Sequence, residues 1–233
     1  MVDGQLDNER PFIMITLPDF NKCWDYENRF YSTCDPSRIS KFIAHYELFK
    51  MTLNIPGELV ECGVFKGISL LRFAMFRKLL ATEISKKIIG FDAFGPFPET
   101  EFEDDKEFRE HFINDIGGES IATQQLEILL EHKKCDDNVE LIAGNICNTV
   151  PEYIKKKPQL KISFLNLDTD IYEPTVTVLE HLYPRIVAGG VLLLDDYGLV
   201  PGETTAVDNY FKDKGCKINK LPFCERPCYI IKQ

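Results

Sequence analysis

Several features are scarce or missing in this sequence, and each absence narrows the kind of protein it encodes. Among 233 residues there are four histidines and one tryptophan, and the eight cysteines form no Cys-x-x-Cys pair and no zinc-finger spacing with histidine. No apolar run is long enough to span a bilayer, and the N-terminus lacks the basic-then-apolar pattern of a signal peptide. We therefore expect a cytoplasmic protein with reduced thiols, without a zinc finger and without a membrane segment.

Positive charge is also in short supply. The chain has 27 Lys and Arg against 37 Asp and Glu, a formal net charge of −10, which disfavours a nucleic-acid partner because the phosphate backbone is itself anionic. The same acidity suits a protein that holds a divalent cation. Hydrophobic residues make up 44% of the chain and charged residues 27%. This is the balance of an ordinary globular protein, and the length suits one α/β domain.

From about residue 57, short apolar runs alternate with amphipathic stretches. Alternation of this kind predicts an α/β fold, a doubly wound and mostly parallel sheet covered by helices on both faces. The predicted strands are Glu58–Val64, Ile88–Phe91, Val139–Ala143, Ile162–Asp168 and Val191–Leu194. The predicted helices between them are Ser69–Leu80, Ser120–His132, Pro151–Lys156 and Pro174–Ile186. After a further helix around Thr205–Lys214, the strands Lys217–Leu221 and Cys228–Lys232 predict an antiparallel hairpin at one edge of the sheet.

Two segments fall outside this alternation. Residues 1–56, the N-terminal segment, are predicted to be helical from Pro36 to Leu53, and Pro56 and Gly57 break the chain before the first strand. Residues 94–118, the inserted segment, are rich in proline, acid and phenylalanine and are too long for an ordinary connection. Ligands bind at the carboxyl ends of the strands in open α/β sheets. We interpret both segments as lids over that edge, with plain surface segments as the alternative.

A loop containing two glycines follows the first predicted strand, with the sequence ECGVFKGIS from Glu61 to Ser69. Gly63 and Gly67 permit a tight turn and a close approach to a ligand, and Ser69 is placed to cap the next helix. A dinucleotide site would have G-x-G-x-x-G, whereas the spacing here is E-x-G-x-x-x-G. An acid in front of the loop disfavours a phosphate and suits the ammonium and sulfonium groups of S-adenosylmethionine (SAM). An unliganded turn is the alternative.

Polar residues also follow the second and third predicted strands. Asp92 stands where a carboxylate can accept hydrogen bonds from the two hydroxyls of a ribose. Asn145, in a Gly-Asn pair, would pass near an adenine and could read its edge with the amide. The alternatives are helix capping or a turn for Asp92 and an ordinary turn for Asn145. Together these positions predict a site for an adenosyl cofactor.

The fourth and fifth predicted strands each end in acidic residues. Asp168 and Asp170 follow the fourth strand, and Asp195 and Asp196 follow the fifth. Because parallel strands end at the same edge, these four carboxylates should meet, and like charges in a cleft are costly unless a cation neutralises them. Carboxylate oxygens are the ligands of Mg²⁺ and similar hard cations. We predict a divalent metal on Asp168, Asp195 and Asp196; capping of loops and helices is the alternative.

These motifs in combination carry a family resemblance. ECGVFKGISL, FDAFGPFPE, LNLDTDIYEPT and AGGVLLLDDYG resemble the TylF-type macrocin O-methyltransferases, from about Ser37 to the C-terminus. The chain is similar, more distantly, to catechol O-methyltransferases. The resemblance implies a Rossmann-like class I methyltransferase that uses SAM and magnesium to methylate a hydroxyl, commonly on a sugar of a natural product or a nucleotide sugar. Phe65 stands where the family usually has tryptophan, Ile68 where it has glycine, and the inserted segment departs from the family's pattern.

The resemblance also assigns site residues and allows a homo-oligomer. The inserted segment corresponds to the family's substrate lid. The predicted cofactor-binding residues are Glu61, Cys62, Gly63, Val64, Gly67, Ser69, Asp92, Ala93, Asn145 and Asp168.

A general base is needed to take the hydroxyl proton. Asp168 or Asp170 could do so beside the metal, and His111 from the inserted segment is a third candidate. Two other functions remain open: a non-catalytic protein that binds SAM or its product S-adenosylhomocysteine (SAH), and an NAD(P)-dependent oxidoreductase. The missing G-x-G-x-x-G and the acid Glu61 argue against the oxidoreductase.

Overall fold

One seven-stranded sheet organises the part of the chain that the computed structural model describes, residues 14–233. The strands are β1 Glu58–Cys62, β2 Ile88–Asp92, β3 Val139–Ala143, β4 Ile162–Leu167, β5 Ile186–Leu194, β6 Asn219–Lys220 and β7 Cys228–Ile231. The helices are α1 Cys23–Thr33, α2 Pro36–Met51, α3 Ile68–Leu80, α4 Glu103–Ile116, α5 Thr123–Lys133, α6 Ile146–Lys156, α7 Tyr172–His181 and α8 Pro201–Phe211.

The strand order is β3-β2-β1-β4-β5-β7-β6. Strands β1 to β5 pair in parallel, and β7 runs antiparallel to both β5 and β6. This confirms the predicted fold class, a doubly wound and mostly parallel sheet with a C-terminal antiparallel hairpin. The chain order reverses between β1 and β4, so a crevice opens at their carboxyl ends, where open α/β sheets bind ligands.

Apolar side chains fill both faces of the sheet. Helices α6, α7 and α8 cover one face, and α2, α3 and α5 cover the other. All six residues of β4 are buried, as the uniform apolar run predicted. Strand β5 starts five residues earlier than predicted, because Ile186 already pairs with Ile162 of β4. Helix α7 ends at His181, five residues early, because the chain tightens into a 3-10 turn over Tyr183–Arg185.

The N-terminal segment is helical, as predicted, but in two helices. Helix α2 covers most of the predicted Pro36–Leu53 stretch and starts at a cap in which the Asp35 carboxylate accepts a hydrogen bond from the Ser37 N–H. Helix α1 was not predicted, and none of its side chains is buried. Residues 1–13 of the predicted N-terminal lid lie outside the described residues. Within residues 14–233, no helix is both long enough and apolar enough to cross a membrane.

The inserted segment contains a helix, α4, that sequence patterns did not predict. Its fully buried Asp105 accepts hydrogen bonds from the Tyr172 N–H and the Gly202 N–H, both at 2.8 Å. One carboxylate therefore caps the N-termini of α7 and α8, which follow β4 and β5. Glu173 of α7 in turn accepts backbone hydrogen bonds from residues 101 and 102. The inserted segment is thus fixed to the two loops that carry the acidic residues.

Replacing Asp105 should destabilise the fold. We expect Asp105→Ala to lower the free energy of unfolding by about 2–4 kcal/mol, because two buried helix caps are lost together. Urea denaturation followed by circular dichroism measures this loss. The matched control is Asp35→Ala, which removes a single exposed cap and should have a clearly smaller effect. Equal losses in the two variants would contradict the double role of Asp105.

Candidate active site

A cavity of about 820 Å³ lies at the carboxyl edge of the sheet. Its wall is formed by the start of α2, the loop between β1 and α3, the inserted segment and the loops after β4 and β5. The predicted site residues that line it are Gly63, Val64, Ser69, Asp92, Ala93, Asn145, Asp168, Asp170, Asp195 and Asp196. Four predicted residues do not line it: Glu61, Cys62, Gly67 and His111. Of these, His111 is exposed on α4, whereas Glu61 and Cys62 are fully buried in β1.

The loop after β1 touches the end of β4. Gly63 has φ +88°, and a Cβ atom built on it would lie 1.7 Å from the carbonyl oxygen of Asp168. Glycine is therefore required both by the backbone conformation and by the close approach. Gly67, with φ +80°, stands at the N-cap of α3 without a side-chain cap. The prediction that Ser69 caps this helix is wrong, because α3 already starts at Ile68 and Ser69 lies in its first turn.

Glu61 lies beneath the cavity wall. Its Oε1 accepts a hydrogen bond from Asn166 Nδ2 at 3.0 Å, while Oε2 has no partner among the described residues. Burial raises the pKa of Glu61 to about 8, against the opposing effect of the Ser69 and Asn166 side chains. Such a carboxyl group is ready to ionise when a cation comes close.

Asp92 shapes the loop as well as lining the cavity. Its Oδ2 accepts hydrogen bonds from the N–H groups of Val64 at 2.7 Å and Phe65 at 3.0 Å, and its Oδ1 accepts one from Phe94 at 2.7 Å. Because a carboxylate offers about four acceptor positions, room for further hydrogen bonds is limited. The structure therefore supports the turn-forming alternative that the sequence left open, and Asp92 also lines the cavity.

The position of Asn145 is compatible with both roles considered from the sequence, a structural role in a turn and contact with a ligand. It is the N-cap of α6, where its Oδ1 accepts a hydrogen bond from the Cys147 N–H at 2.9 Å. It also lines the cavity. The capping interaction uses the side-chain oxygen, so contact with a ligand would depend on the amide nitrogen.

The four aspartates after β4 and β5 form an acidic cluster: Asp168, Asp170, Asp195 and Asp196. Asp168, Asp195 and Asp196 each offer one oxygen atom, and these atoms lie within 4.8 Å of one another. Burial raises the pKa of Asp168 well above its usual range, and the charge of Asp195 raises it further. Asp170 has a left-handed backbone, with φ 60°, and burial and then Asp196 raise its pKa as well. Strained backbone of this kind is frequent at functional sites.

Basic side chains that sequence reasoning missed surround this cluster. Lys41 of α2 forms an ion pair with Oδ2 of Asp195, and Arg226 Nη1 lies 2.9 Å from Oδ1 of Asp196. Although burial works against it, the neighbouring Lys41 and His45 hold the pKa of Asp195 below its usual value. Lys41 and His45 are four residues apart and hence share one face of α2. That spacing was the one available sequence signal.

His45 is fully buried between the acidic cluster and α3. Its ring stacks on Phe73 with centroids 5.0 Å apart. Arg72 Nη1 lies 3.1 Å from Nδ1, and since arginine can only donate, Nδ1 is the acceptor. Nε2 then carries the proton and lies 3.7 Å from Oδ1 of Asp195. Burial lowers the pKa of His45 to about 4, so the ring is neutral at neutral pH.

The sheet order and the position of the cavity define a Rossmann-like methyltransferase fold. The structure is similar to that of a calicheamicin methyltransferase, with a TM-score of 0.75 at 22% identity over 99% of both chains. The sequence matches the macrocin-O-methyltransferase (TylF) family model over residues 27–221. The chain therefore belongs to the macrocin-O-methyltransferase family.

Two curated relatives show how far the sequence likeness extends. One is the mycinamicin III 3''-O-methyltransferase of Micromonospora griseorubida, 31% identical over 67% of this chain and 61% of the relative. The other is the 8-demethyl-8-(2,3-dimethoxy-alpha-L-rhamnosyl)-tetracenomycin-C 4'-O-methyltransferase of Streptomyces olivaceus, 30% identical over 63% of this chain and 55% of the relative. The match thus spans less than two thirds of the length of each relative.

Two glycine variants can separate backbone conformation from close approach. Gly63 and Gly198 have nearly the same φ, +88° and +86°, but a Cβ on Gly198 would have nothing within 4 Å. Gly198→Ala should cost about 1–2 kcal/mol of unfolding free energy, from the left-handed backbone alone. Gly63→Ala should cost at least about 3 kcal/mol more, because the Asp168 carbonyl must move. Equal losses in chemical denaturation would argue against this contact.

Proposed function

We propose that this protein is a SAM-dependent O-methyltransferase that uses a divalent cation to methylate a sugar hydroxyl of a natural product or a nucleotide sugar. The observation that carries the proposal is the convergence, on one cavity, of the glycine loop and three aspartates whose oxygens lie within 4.8 Å of one another. Membership of the macrocin-O-methyltransferase family supports the reaction type. The name of the tetracenomycin-C 4'-O-methyltransferase includes a rhamnosyl group, and this supports the acceptor class.

Gly63, Val64 and Ser69 line the cavity and would hold the methionine part of SAM, with Cys62 and Gly67 shaping the backbone of the loop behind them. Gly63 leaves room for the sulfonium end, and Glu61 would face the positive charges from beneath. Asp92 and Ala93 would lie at the ribose, with the remaining acceptor capacity of Asp92 directed to its hydroxyls.

Asn145 would lie at the adenine and donate from its amide nitrogen. Asp168 would lie beside the methyl group, because its carbonyl touches Gly63.

The acidic cluster fits a divalent cation such as Mg²⁺. Asp168, Asp195 and Asp196 would hold it with hard oxygen ligands. Burial and then the charge of Asp195 raise the pKa of Asp168, and a bound cation would stabilise its ionised form. A bound metal would lower the pKa of the acceptor hydroxyl and orient it. The two basic partners, Lys41 and Arg226, balance only part of the charge of four aspartates.

The reaction is an in-line displacement. The acceptor oxygen attacks the methyl carbon of SAM, the carbon–sulfur bond breaks, and SAH leaves with the electron pair on sulfur. The hydroxyl proton passes to a base, for which we favour Asp170 over Asp168. Asp170 lines the cavity and its pKa is raised by burial and then by Asp196, whereas Asp168 is assigned to the metal. His111 is exposed and does not line the cavity, so its role as base receives no support.

The acceptor would lie against the inserted segment and the start of α2, the two proposed lids. The inserted segment contributes an apolar wall to the cavity, formed by Phe97, Pro98, Phe108, Phe112 and Ile116. Such a wall suits the carbon face of a deoxysugar or an apolar group attached to the sugar. Sugar recognition by polar groups would come from the acidic cluster itself.

A methyl-transfer assay tests the function. Protein, SAM and Mg²⁺ are incubated with a panel of deoxysugar glycosides and nucleotide deoxysugars, and methylated products are detected by mass spectrometry. We expect product with at least one acceptor, its loss with EDTA and its recovery with excess Mg²⁺. Asp170→Asn should lower kcat by about 10²–10⁴-fold as expected for a general base. SAH binding without product from any acceptor would favour a non-catalytic cofactor-binding protein.

Metal binding can be tested apart from activity. Titration with Mn²⁺, followed by the electron paramagnetic resonance of the free ion, should reveal one site in the native protein. Asp196→Asn should weaken that site by about 10-fold or more, because one carboxylate ligand is lost. SAH affinity in the same variant serves as the control and should stay near that of the native protein. A native protein that binds no Mn²⁺ would refute the metal assignment.

Lys41 should compete with the metal for Asp195. Two unit charges about 4 Å apart repel by about 4 kcal/mol at an effective dielectric constant of 20, and the repulsion between a lysine and a divalent ion is larger. Lys41→Met should therefore raise Mn²⁺ affinity by about 10-fold or more. The control is Lys50→Met, which removes an exposed lysine of the same helix that pairs with Glu47. Unchanged or weaker Mn²⁺ binding in Lys41→Met would contradict this competition.

A further inference from the structure

Two arginines line the cavity on adjacent helices, Arg72 from α3 and Arg38 from α2. Arg72 comes three residues after Ser69, so both lie on one face of α3. Long side chains in helices lean toward the N-terminus of their own helix. Arg72 and Ser69 line the same cavity, and the guanidinium of Arg72 contacts His45 and Phe42 of α2.

Neither guanidinium forms an ion pair with a carboxylate in residues 14–233. Arg72 is held by neutral or aromatic groups instead: its Nη1 donates to Nδ1 of His45, and its guanidinium lies 5.5 Å from the centroid of the Phe42 ring. Burial and then the charge of Arg38 lower the pKa of Arg72, while the carboxylates of Glu61, Asp195 and Asp168 raise it without forming an ion pair with it. A partly buried cation beside a second cation is further stabilised when an anion pairs with it directly.

We propose that Arg72, assisted by Arg38, binds the carboxylate of the methionine part of SAM. This rests on the proposed orientation of the cofactor, with methionine at the glycine loop. The carboxylate is the single anionic group of SAM, and a guanidinium can pair with it through two parallel hydrogen bonds. The hydrogen bond to His45 fixes the guanidinium before the cofactor arrives, so less conformational entropy is lost on binding.

The cofactor is zwitterionic, and the surroundings match both signs. With the cofactor in the proposed orientation, Glu61 would face the ammonium and sulfonium groups, and the two arginines would face the carboxylate. Of the other basic residues that line the cavity, Lys41 and Arg226 are paired with Asp195 and Asp196. Lys66 of the glycine loop donates a hydrogen bond to the backbone carbonyl oxygen of Glu119. The division of charge distinguishes the amino-acid part of SAM from a nucleoside that lacks it.

The test compares two ligands that differ by the carboxylate alone. SAH carries both the ammonium and the carboxylate, whereas S-adenosyl-3-thiopropylamine keeps the ammonium and lacks the carboxylate. Affinities of the native protein, Arg72→Met and Arg72→Lys are measured by isothermal titration calorimetry. Arg29→Met, an exposed arginine of α1 outside the cavity lining, is the matched control.

We expect Arg72→Met to weaken SAH binding by about 10- to 100-fold, the range of a charge-assisted hydrogen-bond pair, and to change the affinity for the amine by less than about twofold. Arg72→Lys should retain part of the SAH affinity, and Arg29→Met should match the native protein. The unchanged amine affinity also shows that the variant is folded.

Three results would overturn the proposal. Equal losses for both ligands would mean that Arg72 only supports the fold of the site. Unchanged SAH affinity, with weaker binding of a nucleotide sugar, would assign the arginines to an acceptor phosphate. A native protein that binds neither ligand would refute the cofactor assignment itself. This outcome differs from a failure of the Arg72 proposal alone, in which the native protein still binds SAH.

Discussion

Repulsion among buried carboxylates is the constraint around which the carboxyl edge of this sheet is organised. Asp168, Asp170, Asp195 and Asp196 meet there because parallel strands β4 and β5 end side by side. Such a group is stable only beside positive charge. Two basic side chains come from regions far apart in sequence: Lys41 of α2 pairs with Asp195, and Arg226, just before β7, pairs with Asp196. A divalent cation in the proposed site would complete this neutralisation and give it a chemical use.

The acidic cluster and the proposed cofactor cradle are mechanically joined. Gly63 contacts the Asp168 carbonyl, so the glycine loop after β1 and the acidic loop after β4 cannot move independently. Asp92 fixes the same glycine loop to the end of β2 through backbone hydrogen bonds. Asp105 fixes the inserted segment to the starts of α7 and α8. The proposed sites for donor, metal and acceptor are therefore connected through one frame, which in-line transfer of a methyl group would require.

Sequence patterns predicted the sheet and its acidic edge well, because both depend on local signals. The uniform apolar run of β4 and the acids after β4 and β5 can be read from neighbouring residues. Lys41, Arg72 and Arg226 could not be assigned to the site in this way, because their partners lie far away in the chain. The spacing of Lys41 and His45 on α2 does not identify Asp195 as their partner. Ser69 was wrongly predicted as a cap, since the boundary of α3 differs by one residue from the predicted one.

The central claim is that a divalent cation binds beside the methyl donor. The most direct measurement is an anomalous difference map from crystals grown with Mn²⁺ and SAH. The account predicts one peak within bonding distance of Asp168, Asp195 and Asp196, with Lys41 displaced from Asp195 and the SAH sulfur next to the Asp168 loop. An occupied SAH site with no anomalous peak, and Lys41 still paired with Asp195, would contradict it.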